Sequence, residues 1–456
     1  MNIRTVLCPF LLSMFALLST DVAVGEVRLP NALASHMVLQ RDAPVRIWGW
    51  AEPAEKVSVT CGGQEVQTTT GEDGRWEAEL PAQSANDQGQ SITVTGSNTI
   101  ELEDVLFGDV WVGSGQSNME WQLSNTIGAE AAIESASHPL IRLFHIPKVK
   151  ADAPTDDVNA EWQVCDPATV PSFSAVLYYF GLKLRHEANV PIGLINTSWG
   201  GSPIEPWTIT ESGSGAMYNA MVAPITNLSV RGAIWYQGET NIIRKNGFTY
   251  LDKMKDLING WRKSFDHSDM PFYFVQIAPW SGERYEPGEL PAVWEAQTAT
   301  LNLPHTGMAV TTDLVDNIAD IHPRNKRDVG NRLARWALAK VYDQKDLIYS
   351  GPIFKSLTID GSKVKVDFHF TGTGLKSRNE QELNEFQLAG EDGEFFDAVA
   401  VIAGSSVVVS CDKVTKPTQV RFGWHKVANP NLVNSEGLPA SPFQTQGWRG
   451  MLDAAE

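Results

Sequence analysis

From about Asp104 to Leu347 the sequence repeats one pattern: a short apolar run, then a longer stretch with helical spacing. "DVWVG" precedes "AEAAIESAS", and "IRLFHI" precedes "SAVLYYFGLKLRHEA". "IGLINTS" follows, then "RGAIWYQG" before "TYLDKMKDLINGWRKSF", "FYFVQIA" before "AVWEAQTATL", and "GMAVTTDL" before "NKRDVGNRLARWALAKVY". Strand followed by helix, repeated, is the pattern of a parallel sheet flanked by helices. Such sheets bind ligands beyond the carboxyl ends of their strands. The polar loops that follow the runs are therefore where chemistry is expected.

The flanks differ. From Glu26 to Glu103, "APVRIWGWA", "EKVSVTCGG", "GRWEAELPA" and "QSITVTGSN" alternate apolar and polar residues between Gly, Pro and Asp breaks, as in a small β-sandwich. From Ile348 to Glu456 short strands return in "GSKVKVDF", "AVAVIAGSSVVVSC" and "QVRFGW". This predicts an α/β domain over 104–347 between two β-sandwich-type modules. A chain of 456 residues exceeds one ordinary core, which fits.

Residues 1–25 read as a signal peptide, with Arg4, the apolar run "TVLCPFLLSMFALLS" and small residues before Glu26. The run is too short to span a bilayer, so the expectation is an exported protein, periplasmic or extracellular. With 54 acidic against 36 basic residues the net charge is −18, which argues against nucleic acid or an anionic membrane as partner. Beyond the leader, Cys61, Cys165 and Cys411 are an odd, widely spaced set. They form neither a disulfide framework nor a zinc site and read as buried thiols.

Four loops carry candidate chemistry. "GDVWVGSGQSNMEW" presents Ser117 at the end of a strand-like run. A serine hydroxyl needs a general base within hydrogen-bond reach. Of nine histidines, His322 in "DNIADIHPRNKRDVG" alone sits in a loop between a strand-like run and a long helix. Its imidazole needs an acceptor on the second nitrogen. Asp320, two residues earlier, and Glu239 in "WYQGETN" both qualify. Each also has a plainer reading, Asp320 as a helix cap and Glu239 as a first-turn acid. Acyl transfer further needs oxyanion donors. The backbone N–H of Ser117, the Gly200–Gly201 pair of "NTSWGGSPIEPW" and the Gln237 amide are candidates. Trp199, Trp207 and Trp121 flank these loops as platforms for a sugar ring, whereas Trp235 lies inside a strand-like run and reads as core.

"GQSNMEW", "INTSWGGSPIEPW", "AIWYQGETN" and "DIHPRNKRDVGNRLA" together resemble the sialate O-acetylesterase family of the SGNH/GDSL hydrolases. "LPNALASHMVLQRDAPVRIWGWA" and "NLVNSEGLPASPFQT" resemble that family's entry and closing segments, so the likeness runs from Leu29 to Thr445. The resemblance implies a flavodoxin-like α/β/α sheet and a serine carboxylic ester hydrolase that removes O-acetyl groups from sugars without cofactor or metal. It implies Ser117 as nucleophile, His322 as base and then acid, and a Gly of the 200–201 pair with Gln237 as oxyanion donors. Two departures stand out. The superfamily's Asp three residues before the His is Ala319 here, which leaves Asp320 and Glu239 both open. Its Gly-x-Asn-Asp block is absent. A polysaccharide deacetylase and a non-catalytic carbohydrate-binding protein remain as alternatives.

Overall fold

The computed structural model describes residues 25–447 and 449–452; the leader-like segment, Gly25 apart, lies outside the described residues. Numbered along the chain, the central sheet consists of β1 (Thr99–Gly115), β2 (His138–His145), β3 (Trp162–Cys165), β4 (Ile192–Asn196), β5 (Gly232–Tyr236), β6 (Phe272–Gln276) and β7 (Thr306–Val310). Their order is β7-β6-β5-β1-β4-β2-β3. Only β3, at the edge, runs antiparallel to its neighbour. The five strands β4-β1-β5-β6-β7 reproduce the flavodoxin order 2-1-3-4-5, and β2 and β3 extend it at one edge.

The strands read as uninterrupted apolar runs because helices cover both faces. Every residue of β4, β5, β6 and β7 is buried. In β1 the fully buried Trp111 stacks on Tyr273 at 5.9 Å and meets the edge of Phe180 at 5.0 Å. Burying one such side chain stabilises the fold by about 2–3 kcal/mol. Two long helices pack against each other over this sheet, Ala175–Ala188 and Lys326–Lys340. Each has a side-chain cap: Ser174 Oγ accepts from Leu177 N at 3.3 Å, and Asn325 Oδ1 accepts from Asp328 N at 3.1 Å.

The amino-terminal strands are not a separate body. The first half of β1 pairs antiparallel with Gln90–Thr95, and its second half lies between β4 and β5. Residue 104, where the sequence changes texture, falls within this one 17-residue strand. Its core merges with that of the α/β region. Among the described residues the carboxy-terminal strands instead form two four-stranded antiparallel sheets and one two-stranded sheet, with their own core of Phe354, Val366, Leu388, Val407, Phe422 and Phe443. The three described cysteines are free thiols, Cys61 and Cys165 buried; burial pushes the Cys165 thiol up to about 12. Among the described residues no helix is long and apolar enough to cross a membrane.

Candidate active site

In an open parallel sheet the binding crevice lies where strand order reverses. Here that is the carboxyl end of β1, between β4 and β5. Gly115 lies opposite Tyr236, and Gln116 N donates to Tyr236 O at 3.0 Å. The two strands are so close that a Cβ on Gly115, at φ 137°, would fall 2.2 Å from Tyr236 O. Only glycine lets β1 end there and turn into the single helical turn Ser117–Glu120. Ser117 is its first residue, so its N–H has no partner within the helix.

His322 arrives from the loop between β7 and the Lys326–Lys340 helix. Its Nε2 lies 2.8 Å from Ser117 Oγ, across 205 positions of sequence. The imidazole is stacked on Trp121, ring centroids 5.1 Å apart at 24°. Asp320 Oδ1 lies 3.3 Å from His322 Nδ1 and accepts from the His322 backbone N–H at 2.9 Å. That double contact follows from the two-residue offset, which wraps the carboxylate around its own loop as an Asx turn. Burial, and then the positive charge of Lys326, hold His322 below the ordinary imidazole pKa, with Asp320 pulling the other way. Burial and Lys326 both favour the neutral ring, the form a general base requires.

Glu239 goes elsewhere. It is 2% exposed, and its Oε1 accepts from Asn118 Nδ2 at 2.6 Å. Burial raises its pKa. Of the two carboxylates left open by the sequence, Asp320 faces the imidazole and Glu239 faces Asn118.

The expected oxyanion donors divide in the same way. Gly200 backs directly on Ser117: a Cβ there would stand 3.4 Å from Ser117 Cβ and 2.9 Å from Glu120 Oε2. Its N–H is donated to the Glu120 carboxylate, which also pairs with Lys148. An anionic oxygen therefore already occupies that donor beside Ser117. Gly201 is exposed, at φ 74°, with open space around it. Gln237 is fully buried, and its amide donates to Gln116 Oε1 at 3.0 Å, to Asn241 Oδ1 at 2.8 Å and to Ser202 O at 3.3 Å. Its protons are used inside the wall of the site.

The tryptophans separate by depth. Trp121 and Trp199 are partly exposed, and Lys150 Nζ lies 5.1 Å from the Trp199 ring centroid. Trp207, expected as a sugar platform, is instead core: it has no exposed surface, and its indole N–H donates to Ser202 Oγ at 3.0 Å. The short turn Glu205–Trp207 folds the ring inward against Trp235, which is also buried.

Asn118, Glu120, Lys148 and Lys326 are the members sequence reading missed. Lys326 is fully buried, and its ammonium donates to Asn118 Oδ1. A signal existed, because Lys326 shares the i, i+3, i+4, i+7 spacing of Val329, Gly330 and Leu333, all buried. A cavity of about 620 Å³ lined by Tyr273, Trp336, Tyr349 and Phe370 opens at the opposite end of the sheet, beside the starts of β6 and β7, and holds none of these groups. Among the described residues no cluster of three His, Cys, Asp or Glu could hold a metal ion.

Residues 107–339 match the family described as carbohydrate esterase, sialic acid-specific acetylesterase. The chain is 30% identical over 383 residues to sialate O-acetylesterase of Homo sapiens, covering 72% of this chain and 73% of the human protein. It is 28% identical over 431 residues to the Mus musculus sialate O-acetylesterase, covering 76% and 79%. The crystal structure of a carbohydrate acetylesterase from Xanthomonas citri matches with a TM-score of 0.90 at 36% identity, covering 93% of this chain and all of that one.

Proposed function

The chain belongs to the carbohydrate esterase family of sialic acid-specific acetylesterases, and from that premise we propose that it removes O-acetyl groups from sialic acids through an acetyl-Ser117 intermediate. The observation that carries this reading is the 2.8 Å contact between Ser117 Oγ and His322 Nε2 at the switch point of the sheet.

In this reading His322 Nε2 takes the hydroxyl proton as Ser117 Oγ attacks the acetyl carbonyl. Asp320 at Nδ1 holds the tautomer that leaves Nε2 free to accept, and stabilises the imidazolium that forms. The oxyanion meets the Ser117 N–H and the Gly200–Gly201 backbone, with Glu120 giving up the Gly200 N–H as substrate enters. Each such donor is worth about 2.7–4 kcal/mol. The carbon–oxygen bond to the sugar then breaks, and His322 returns its proton to the leaving sugar oxygen. Water, deprotonated by His322, attacks acetyl-Ser117; acetate leaves and the serine hydroxyl is restored. Trp199 and Trp121 supply ring faces beside the acetyl position. All proton transfers use side chains of this chain. The leader-like residues 1–25 support export to the periplasm or the exterior; amino-terminal sequencing of the secreted protein tests it, with Glu26 expected first.

Acetate release from a panel of O-acetylated sialic acids, acetylated xylan and acetylated pectin tests the substrate, with Ser117→Ala alongside. Release from sialic acids that is lost in Ser117→Ala is the expected result. Release confined to xylan or pectin moves the substrate to plant polysaccharides. A Ser117→Ala protein as fast as its parent would refute the nucleophile.

A further inference from the structure

We propose that Asn118 is a positioning residue that locks the Ser117 and His322 loops together, and that Glu239 and Lys326 act as a pair to fix the direction of its amide. The proposal rests on the reading of Ser117 and His322 as nucleophile and base.

Asn118 follows the nucleophile directly and is fully buried. Its Nδ2 donates to Glu239 Oε1 at 2.6 Å and to Ile321 O at 3.1 Å. Its Oδ1 accepts from the Lys326 ammonium. Ile321 is the residue before His322. One amide therefore ties the position after the nucleophile to the position before the base. An asparagine amide has two orientations of nearly equal shape, distinguished only by their donors and acceptors. Turning this one over would set its oxygen against a carboxylate and a carbonyl, and its N–H groups against an ammonium. All three contacts would become repulsive, so the pair of charges admits one orientation.

The charges are badly placed for any purely structural end. Lys326 begins a 15-residue helix, where the helix dipole disfavours a cation. It is wholly buried, its Nζ 5.6 Å from the Trp121 ring centroid and 5.4 Å from that of Tyr236. Trp121 in turn stacks on His322, which gives Lys326 a second tie to the base. Glu239 is buried, and among the described residues its Oε2 has no hydrogen-bond partner. Local choices that oppose stability are expected at functional sites. The charged and titratable groups acting on Lys326 are Glu239 after β5, and Asp316, Asp320 and His322 in the loop ahead of it. Tyr236, at the end of β5, faces it through its ring.

The test uses the full chain, p-nitrophenyl acetate turnover and the rate at which a fluorophosphonate labels Ser117. In Asn118→Ala, kcat and labelling should both fall by about 100-fold, the cost of a small misplacement of reacting groups, with KM within about twofold. Lys326→Met should lose kcat in the same way, because Asn118 Oδ1 loses its donor and the buried Glu239 carboxylate beside it loses its compensating charge. Adding Glu239→Gln to Lys326→Met removes that carboxylate and keeps an acceptor for Asn118. The double variant should recover activity above Lys326→Met and remains readable if Asn118→Ala does not fold. An Asn118→Ala protein with wild-type kcat and labelling overturns the proposal, as do losses that simply multiply in the double variant. If the wild type is not labelled at Ser117 at all, the underlying reading of the site falls, and the proposal with it. Wild-type labelling with no effect of these variants removes the positioning role alone.

Discussion

Asp320 and Glu239 are both carboxylates beside the same hydroxyl–imidazole pair, yet they occupy opposite kinds of ground. Asp320 stands on the rim, with its side chain 45% exposed, and touches the imidazole. Glu239 stands in the wall behind, 2% exposed, and accepts from Asn118 in front of a buried lysine. Exposure, more than residue type, separates their tasks. A solvated acid can stay charged and tune the imidazole at little cost to the fold. A buried one must be compensated, and its compensation becomes part of the architecture. The rim and the wall should therefore fail differently when altered.

The largest effect falls on the rim. Ser117→Ala or His322→Ala should reduce kcat by on the order of 10⁴-fold or more in acetate-release assays, with the melting temperature nearly unchanged. The two substitutions combined should cost little more than either alone. Losses that multiply would mean that the 2.8 Å contact is not the working pair.

The next effect sets the two acids against each other. Asp320→Asn should lower kcat by about 10- to 100-fold and leave stability within about 0.5 kcal/mol. That is less than the ~10⁴-fold loss known for a buried triad acid, because this contact is long and solvated. Glu239→Gln breaks a compensated buried set and should cost about 3 kcal/mol in urea unfolding. If Asp320→Asn unfolds the protein and Glu239→Gln leaves it intact, the contrast between rim and wall is reversed.

A smaller change reads the seam between them. Gly200→Ala would place a methyl group 2.9 Å from Glu120 Oε2 and 3.4 Å from Ser117 Cβ. The carboxylate can swing away only by loosening its contacts with Lys148 and the Gly200 N–H. The expected result is a loss of about tenfold in kcat/KM. Unchanged kinetics would show that Glu120 moves freely and does not guard that donor.

The same distinction explains what could be read from the chain. The sheet was legible because β4 to β7 are buried on both faces, so each is an apolar run with a sharp polar stop. Ser117 and His322 were legible because such stops in a parallel sheet mark the ligand side. The edge strand β3 was not read: it is four residues long, with only its two end residues buried. Trp207 misled because a loop tryptophan looks the same whether its ring turns outward or, as here, folds under the turn. Lys326 sits between Arg324 and Arg327, both exposed, in a run that reads as a solvated basic stretch. Its helical phase with Val329 and Leu333 carried the contrary signal. The choice between Asp320 and Glu239 depended on side-chain direction, which spacing does not encode.

The smallest effect is the most discriminating, since rim and wall should push the pH profile in opposite directions. A base works only when neutral, so with His322 in that role kcat/KM should fall as pH drops through its pKa. Burial and Lys326 hold that pKa below the ordinary imidazole value of about 6.5, and the acid limb of the wild type should lie correspondingly lower. Asp320 favours the charged ring; in Asp320→Asn the pKa drops further, and residual activity should persist to more acid pH. Lys326 disfavours the charged ring. Its own pKa is depressed to about 7, so it still carries charge through the acid limb. In Lys326→Met the limb should therefore move up, toward neutral pH. Each displacement should be within about one pH unit, as for a single charge acting on a partly solvated group. Profiles of kcat/KM measured from pH 4 to 8 on both variants decide the matter. Movement of both limbs in the same direction would mean that rim and wall do not act on His322 through their charges.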